Sequence, residues 1–155
     1  LFGPNVSETQ KLFIDVLGFS LSERILGPDG QTTIISFMSC SIKSHDIAFG
    51  YHEEPGKFHH VSFLMGSWEQ GLRGGDIMSM EDVPVDIGPT RHGVTRGQTI
   101  YAWDPSGNRF EIFKEDRHPY PDHPPLTWTF DGVGAGGGLD YVQRELHATF
   151  LNVVT

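Results

Sequence analysis

The chain has 155 residues, a mass of 17.3 kDa and a net charge of −9, from 11 Lys and Arg against 20 Asp and Glu. That is the length of one ordinary domain or two small modules, and the acidic balance argues against nucleic-acid partners, which need a net basic surface. No apolar run reaches the ~18 residues of a membrane span, no signal peptide is visible, and a single cysteine, Cys40, permits neither an internal disulfide nor a thiolate zinc site, so a reducing cytoplasm is the expected setting. The chain opens on Leu-Phe-Gly-Pro rather than Met and reads as a fragment.

Ser7 and Gln10 fit the S-x-x-Q capping box and predict a first helix. Leu12, Phe13, Val16 and Leu17 form its apolar stripe, and Gly18 stands just past its end. Strand-like runs follow at Phe19 to Leu26, Thr32 to Cys40 and Asp46 to Tyr51, the first two separated by the turn Pro28-Asp29-Gly30. Glu53 to Gly56 is a connector. The order then recurs. Lys57 to Met65 reads as a strand, and Ser67 with Gln70 opens a second helix with Trp68, Leu72 and Ile77 inward and Gly74-Gly75 weakening its end. Val83 to Ile87, Thr99 to Trp103 and Asn108 to Lys114 are strands, the last two joined by the turn Asp104-Pro105-Ser106-Gly107.

The expected class is therefore α+β, built from paired βαβββ modules, the first keeping only Leu1-Phe2 of its opening strand. Module one is 1–52, module two 57–114, and a Pro- and Gly-rich extension covers 115–155, with a short helix expected from about Asp140 to Val153. Gly132 to Gly137 matches GxGxxG by letter, but no βαβ unit surrounds it, and it is read as a flexible loop.

A sheet with helices on one face leaves its other face free to line a cavity. Alternation puts Val61, Phe63 and Met65 with His59 on the more apolar side, expected to pack against the helix, and sets His60 and Ser62 on the opposite side, toward the cavity. Ile100 and Ala102 face one way and Thr99, Tyr101 and Trp103 the other; Phe110 and Ile112 oppose Glu111. One consistent assignment brings His60, Tyr101 and Glu111 onto a common polar face. Imidazole plus carboxylate suits a divalent ion such as non-heme Fe(II), which is held by two His and one carboxylate with positions left open. The competing reading is a buried Glu satisfied by backbone or Arg beside a His in a polar patch. His45-Asp46, taken alone, reads as a surface turn pair, and His92 sits in the loop Gly88 to Gly93. His52, His118, His123 and His147 read as solvated or structural.

The segments FHHVSF, DIGPTRHGVTRG and YAWDPSGNRFEIF, with SHDIAF upstream, resemble the catalytic domain of the catechol 2,3-dioxygenases, which are type I extradiol ring-cleaving enzymes of the vicinal oxygen chelate superfamily. The likeness runs from the first helix to HATFLNVVT. It implies Fe(II) held by His60 and Glu111, with a third ligand, a His, expected upstream of Leu1. It also implies His45 as the acid–base residue beside the oxygen site, and His92 and Tyr101 as hydrogen-bond partners of the diol oxygens. The partners it implies are catechol and O2, with no nucleic acid and no membrane, and the assembly a homotetramer. By itself the chain is expected to be inactive, with two of three ligands. Competing expectations are a bulkier diol such as 2,3-dihydroxybiphenyl, a glyoxalase-like isomerase or lyase using another divalent metal, and a non-catalytic, drug-sequestering member of the same superfamily.

Overall fold

A computed structural model describes residues 1–115 and 117–154; of the expected C-terminal extension, Asp116 and Thr155 lie outside the described residues. The chain forms two units, Leu1–Lys57 with Arg117–Ala135, and Phe58–Asp116 with Gly136–Thr155. Among the described residues no helix is long and apolar enough to cross a membrane.

The first unit contains β1 (Phe2–Gly3), α1 (Val6–Asp15), β2 (Ser20–Leu26), β3 (Thr33–Ser39) and β4 (Ile47–Tyr51). The second continues with β5 (Val61–Leu64), α2 (Trp68–Met80), β6 (Val85–Arg91), β7 (Gln98–Trp103) and β8 (Arg109–Lys114). Both run β-α-β-β-β, and their sheets have corresponding strand orders, β1-β4-β3-β2 and β5-β8-β7-β6. The opening strand of each lies parallel to the last, β1 on β4 and β5 on β8. The α+β class and the repeated βαβββ unit therefore stand, with β1 only two residues long. Residues 117–135 return to the first unit. There β9 (Leu126–Trp128) adds to β2 in parallel, and α3 (Phe130–Gly132) and a π-type turn (Val133–Gly137) follow. β9 is tied down by Glu23, which is buried, accepts from Trp128 Nε1 at 2.8 Å and pairs with Arg117.

Several local expectations change. α1 starts after Asn5, not Ser7, and no side chain caps it; Gln10 instead accepts from Ser36 Oγ on β3 at 2.7 Å. Its inward face is Val6 and Phe13, which pack with Met38 and Phe49, whereas Leu12, Val16 and Leu17 are exposed. Ser67 does cap α2, accepting from the Gln70 amide at 3.3 Å. α2 then runs through Gly74-Gly75. Those glycines let the helix approach the sheet closely: a Cβ at Gly74 would come within 2.6 Å of Ile112 Cδ1. The buried side is Gly71 and Met78 rather than Leu72 and Ile77. Met78, Ile100, Ala102 and Ile112 form the second core, with Met65, Trp68, Val83 and Phe110 packed against it. Val61 and Phe63, expected against the helix, are exposed. Residues 138–154 form turns and irregular chain, and no helix occupies 140–153.

β6 extends past Ile87 to Arg91, with register shifts on either side of Ile87. Gly88 makes this possible: its φ is +98°, and an added Cβ would sit 2.5 Å from the Thr99 carbonyl on β7. Gly107, in the β7–β8 turn, also has positive φ (+83°) but open space around it. Gly88→Ala should therefore lose at least about 2 kcal/mol of unfolding free energy, and Gly107→Ala about 1 kcal/mol, measured by urea denaturation of the two variants side by side.

Candidate metal site

The second unit builds its polar face around Glu111. Parallel pairing of β5 sets Ser62 opposite Glu111, and antiparallel pairing of β7 sets Tyr101 opposite it. Because side chains alternate, Ile100, Ala102, Phe110 and Ile112 go to the α2 side and Thr99, Tyr101 and Glu111 to the other. Glu111 is 4 % exposed. Thr99 Oγ1 donates to its Oε1 at 2.5 Å, and Ser62 Oγ donates to Oε2. His60, in the residues leading into β5, brings Nε2 to 3.4 Å from Glu111 Oε2. His92, just after β6, brings Nε2 to 3.7 Å from Oε1.

Burial alone would raise the Glu111 pKa. Hydrogen bonds and positive charge from His60 and His92 outweigh it and hold the carboxyl well below its usual value. Tyr101 is wholly buried; burial first, then the Glu111 charge, pushes its hydroxyl well above the usual value and keeps it protonated. His92 Nδ1 donates to the Leu139 carbonyl, and its Nε2 lies 3.0 Å from the Tyr101 hydroxyl. The Phe150 ring packs edge-on against Tyr101 (5.5 Å) and His92 (5.8 Å). The close seating of 137–139 on the His92 loop depends on Gly93, where a Cβ would collide with the Gly137 carbonyl.

His60, His92, Tyr101 and Glu111 are thus together in the second unit. His45 belongs to the first, just ahead of β4, with Nδ1 3.1 Å from Ser44 Oγ and its ring 5.3 Å from that of Phe37. Its neighbour Asp46 is held down to about 2: burial opposes this, but Lys43, the Cys40 amide and Ser41 prevail. Sequence reasoning missed His59, Arg109, Phe150 and the Asp140–His147 pair. Arg109 is fully buried and shares Glu111's side of β8, a parity signal that was available. His147 Nε2 lies 3.1 Å from Asp140 Oδ2, and Thr90 Oγ1 donates to Oδ1 at 2.7 Å.

Among the described residues no group of three or more His, Cys, Asp or Glu is arranged to hold a metal. Two donors do fit one: two atoms each about 2.1 Å from a common ion and roughly at right angles lie about 3 Å apart. His60 Nε2 and Glu111 Oε2 are 3.4 Å apart, with the carboxylate ionised and the other imidazole nitrogen in contact with a partner, His59.

The family model described as Glyoxalase/Bleomycin resistance protein/Dioxygenase superfamily matches residues 1–112. A metapyrocatechase of Pseudomonas sp. (strain CF600) is 48 % identical over 155 residues, all of this chain and 50 % of the relative. The crystal structure of the 2,3-dioxygenase LapB from Pseudomonas sp. KL28 superposes with a TM-score of 0.81 at 65 % identity, covering 84 % of this chain and 45 % of that one. The substrate complex of homoprotocatechuate 2,3-dioxygenase from Brevibacterium fuscum, with 3,4-dihydroxyphenylacetate, gives 0.81 at 28 % identity over 96 % and 46 %. The chain spans about half the length of the metapyrocatechase and of these two structures.

Because the folded pKa of Glu111 lies below 4.5, its stabilising contribution is complete above that pH and is lost as pH falls toward the folded value. Urea unfolding between pH 6 and pH 3, ranges chosen around ordinary carboxyl titration, should show a steeper acid loss of stability in the native protein than in Glu111→Gln.

Proposed function

The chain belongs to the superfamily whose model it matches, and on that premise we propose that it is the catalytic domain of an Fe(II)-dependent extradiol dioxygenase. The reaction opens the ring of catechol beside its two hydroxyls and adds both atoms of O2, giving 2-hydroxymuconic semialdehyde. The observation that carries this reading is the 3.4 Å approach of His60 Nε2 to the buried, ionised Glu111, on the face that also holds His92 and Tyr101.

Fe(II), when bound, would supply a centre that holds the diol oxygens beside O2 and lowers their pKa. His60 and Glu111 are its donors in this chain, and the resemblance calls for a further histidine outside the described residues. Two protein donors orient an ion poorly, so the 155 residues by themselves are expected not to turn over. Tyr101, kept protonated, donates to a diol oxygen. His92, its Nδ1 held by the Leu139 carbonyl, turns Nε2 to the same face, where the resemblance has it hydrogen-bond a diol oxygen. Phe150 adds an apolar wall beside both. His45 is the acid–base residue of the reaction on the strength of the resemblance, a role in which imidazole commonly serves. A homotetramer is the assembly the resemblance implies.

The test is catechol turnover with metal analysis on a full-length protein that also carries the third histidine the resemblance calls for. Glu111→Ala should lose its iron and the yellow product, and a variant that keeps full iron occupancy removes Glu111 from the ligand set. His45→Ala should keep iron and lower turnover by about 100-fold or more; unchanged turnover removes its role.

A further inference from the structure

The segment that follows the π-type turn is seated on β6 and the His92 loop by polar bonds. The Gly93 and Val94 amides donate to the Gly138 carbonyl at 2.9 and 3.0 Å, and the Tyr141 amide donates to the Arg91 carbonyl at 2.7 Å. Between them the Leu139 carbonyl accepts from His92 Nδ1. Apolar burial does not hold this stretch. Tyr141 and Val142 are 49 % and 68 % exposed, and Asp140, at 1 %, is the only buried residue of 139–143.

The Asp140 carboxylate is the side-chain anchor of this contact. Its Oδ1 accepts from Thr90 Oγ1 on β6 at 2.7 Å and from the amides of Gln143 and Val142 at 2.8 and 3.0 Å. His147 Nε2 lies 3.1 Å from Oδ2. Burial would raise the pKa of this carboxyl; the Gln143 amide, Thr90, His147 and the Val142 amide outweigh it and hold the group below its usual value. Thr90 stands two residues before His92, and Asp140 one residue after Leu139. The Thr90–Asp140 and His92–Leu139 bonds therefore run side by side between the same two stretches of chain. Residues 149–152 have a separate anchor, the Arg109 guanidinium, which donates to the Thr149, Phe150 and Asn152 carbonyls.

Resting on the reading of His92 as a hydrogen-bond partner of the diol, we propose that Asp140 is a positioning residue for His92. Bonded to Thr90 and to its own turn, it fixes the Leu139 carbonyl, and that carbonyl sets the direction in which His92 presents Nε2. Aim of this kind matters to rate, since a displacement of about 1 Å at a reacting group can cost on the order of 100-fold.

Two measurements on the full-length protein test this. In wild-type hydrogen exchange, the amides of Gly93, Val94, Tyr141, Val142 and Gln143 should be protected together. Exchange there at the rate of unstructured peptide overturns the proposal, and no variant needs to fold for that result. In the second measurement, Asp140→Ala should keep its iron and lower catechol turnover by about 10- to 100-fold. Asp140→Asn, whose oxygen can still accept from Thr90 and the two amides, should regain most of the loss. In a His92→Ala background, Asp140→Ala should add no further loss. Wild-type turnover in the Ala variant, loss of its iron, an Asn variant no better than Ala, or an undiminished further loss in the His92→Ala background overturns the proposal. His92→Ala alone separates the two claims. If it turns over catechol normally, the reading of His92 fails and this inference with it; if it is slowed while Asp140→Ala is not, only the role of Asp140 fails.

Discussion

An ionised carboxylate inside a sheet must be compensated on every side, because the desolvation it suffers is worth several kcal/mol. Glu111 meets that requirement with two hydroxyls and two imidazoles, from Ser62, Thr99, His60 and His92. None of these comes from its own strand. The compensation therefore holds only while β5, β7 and the end of β6 keep their places around β8. A slip of one residue in β8 would turn the carboxylate toward Met78 and Ile100 and put Ile112 among the polar groups. The apolar layer under α2 and the polar face opposite it are two consequences of one register.

Much of this was legible in the sequence because a strand writes its two faces in alternate letters. Ile100 and Ala102 against Thr99 and Tyr101, and Phe110 and Ile112 against Glu111, are enough to separate the faces. The same parity puts His60, and not His59, with Ser62, even though regular β structure begins only at Val61. The doubled βαβββ order was legible for a similar reason: turn residues and glycines punctuate both halves at like intervals. Signals resting on one local motif fared unevenly. Ser67-x-x-Gln70 caps α2, while the same letters at Ser7 lie inside α1, where tertiary packing of Val6 and Phe13 draws the helix start back to residue 6.

What the sequence concealed is held by main chain. The segment after Asp140 has apolar residues at near-helical spacing, yet it makes turns. Its Thr149, Phe150 and Asn152 carbonyls accept from Arg109, the Phe150 carbonyl also meets His59, and just ahead of it the Leu139 carbonyl accepts from His92. A carbonyl is the same at every residue, so nothing in the letters of 139–152 records those contacts. Arg109 is the side that does record them. A fully buried guanidinium needs a ring of acceptors, and its position two residues from Glu111 says which face supplies them.

That two-residue interval also limits how the length of this part of the chain can drift. Adding or deleting one residue between Arg109 and Glu111 would send one of two opposite charges under the helix, and no repacking of small side chains would answer it. The turn just before them has no such restriction. Ser106, Gly107 and Asn108 are exposed, and Asp104 closes the loop on itself through the Ser106 and Asn108 amides at 2.8 Å. Insertions among relatives of this chain should therefore gather at the Asp104–Asn108 corner and stop short of the strand that follows.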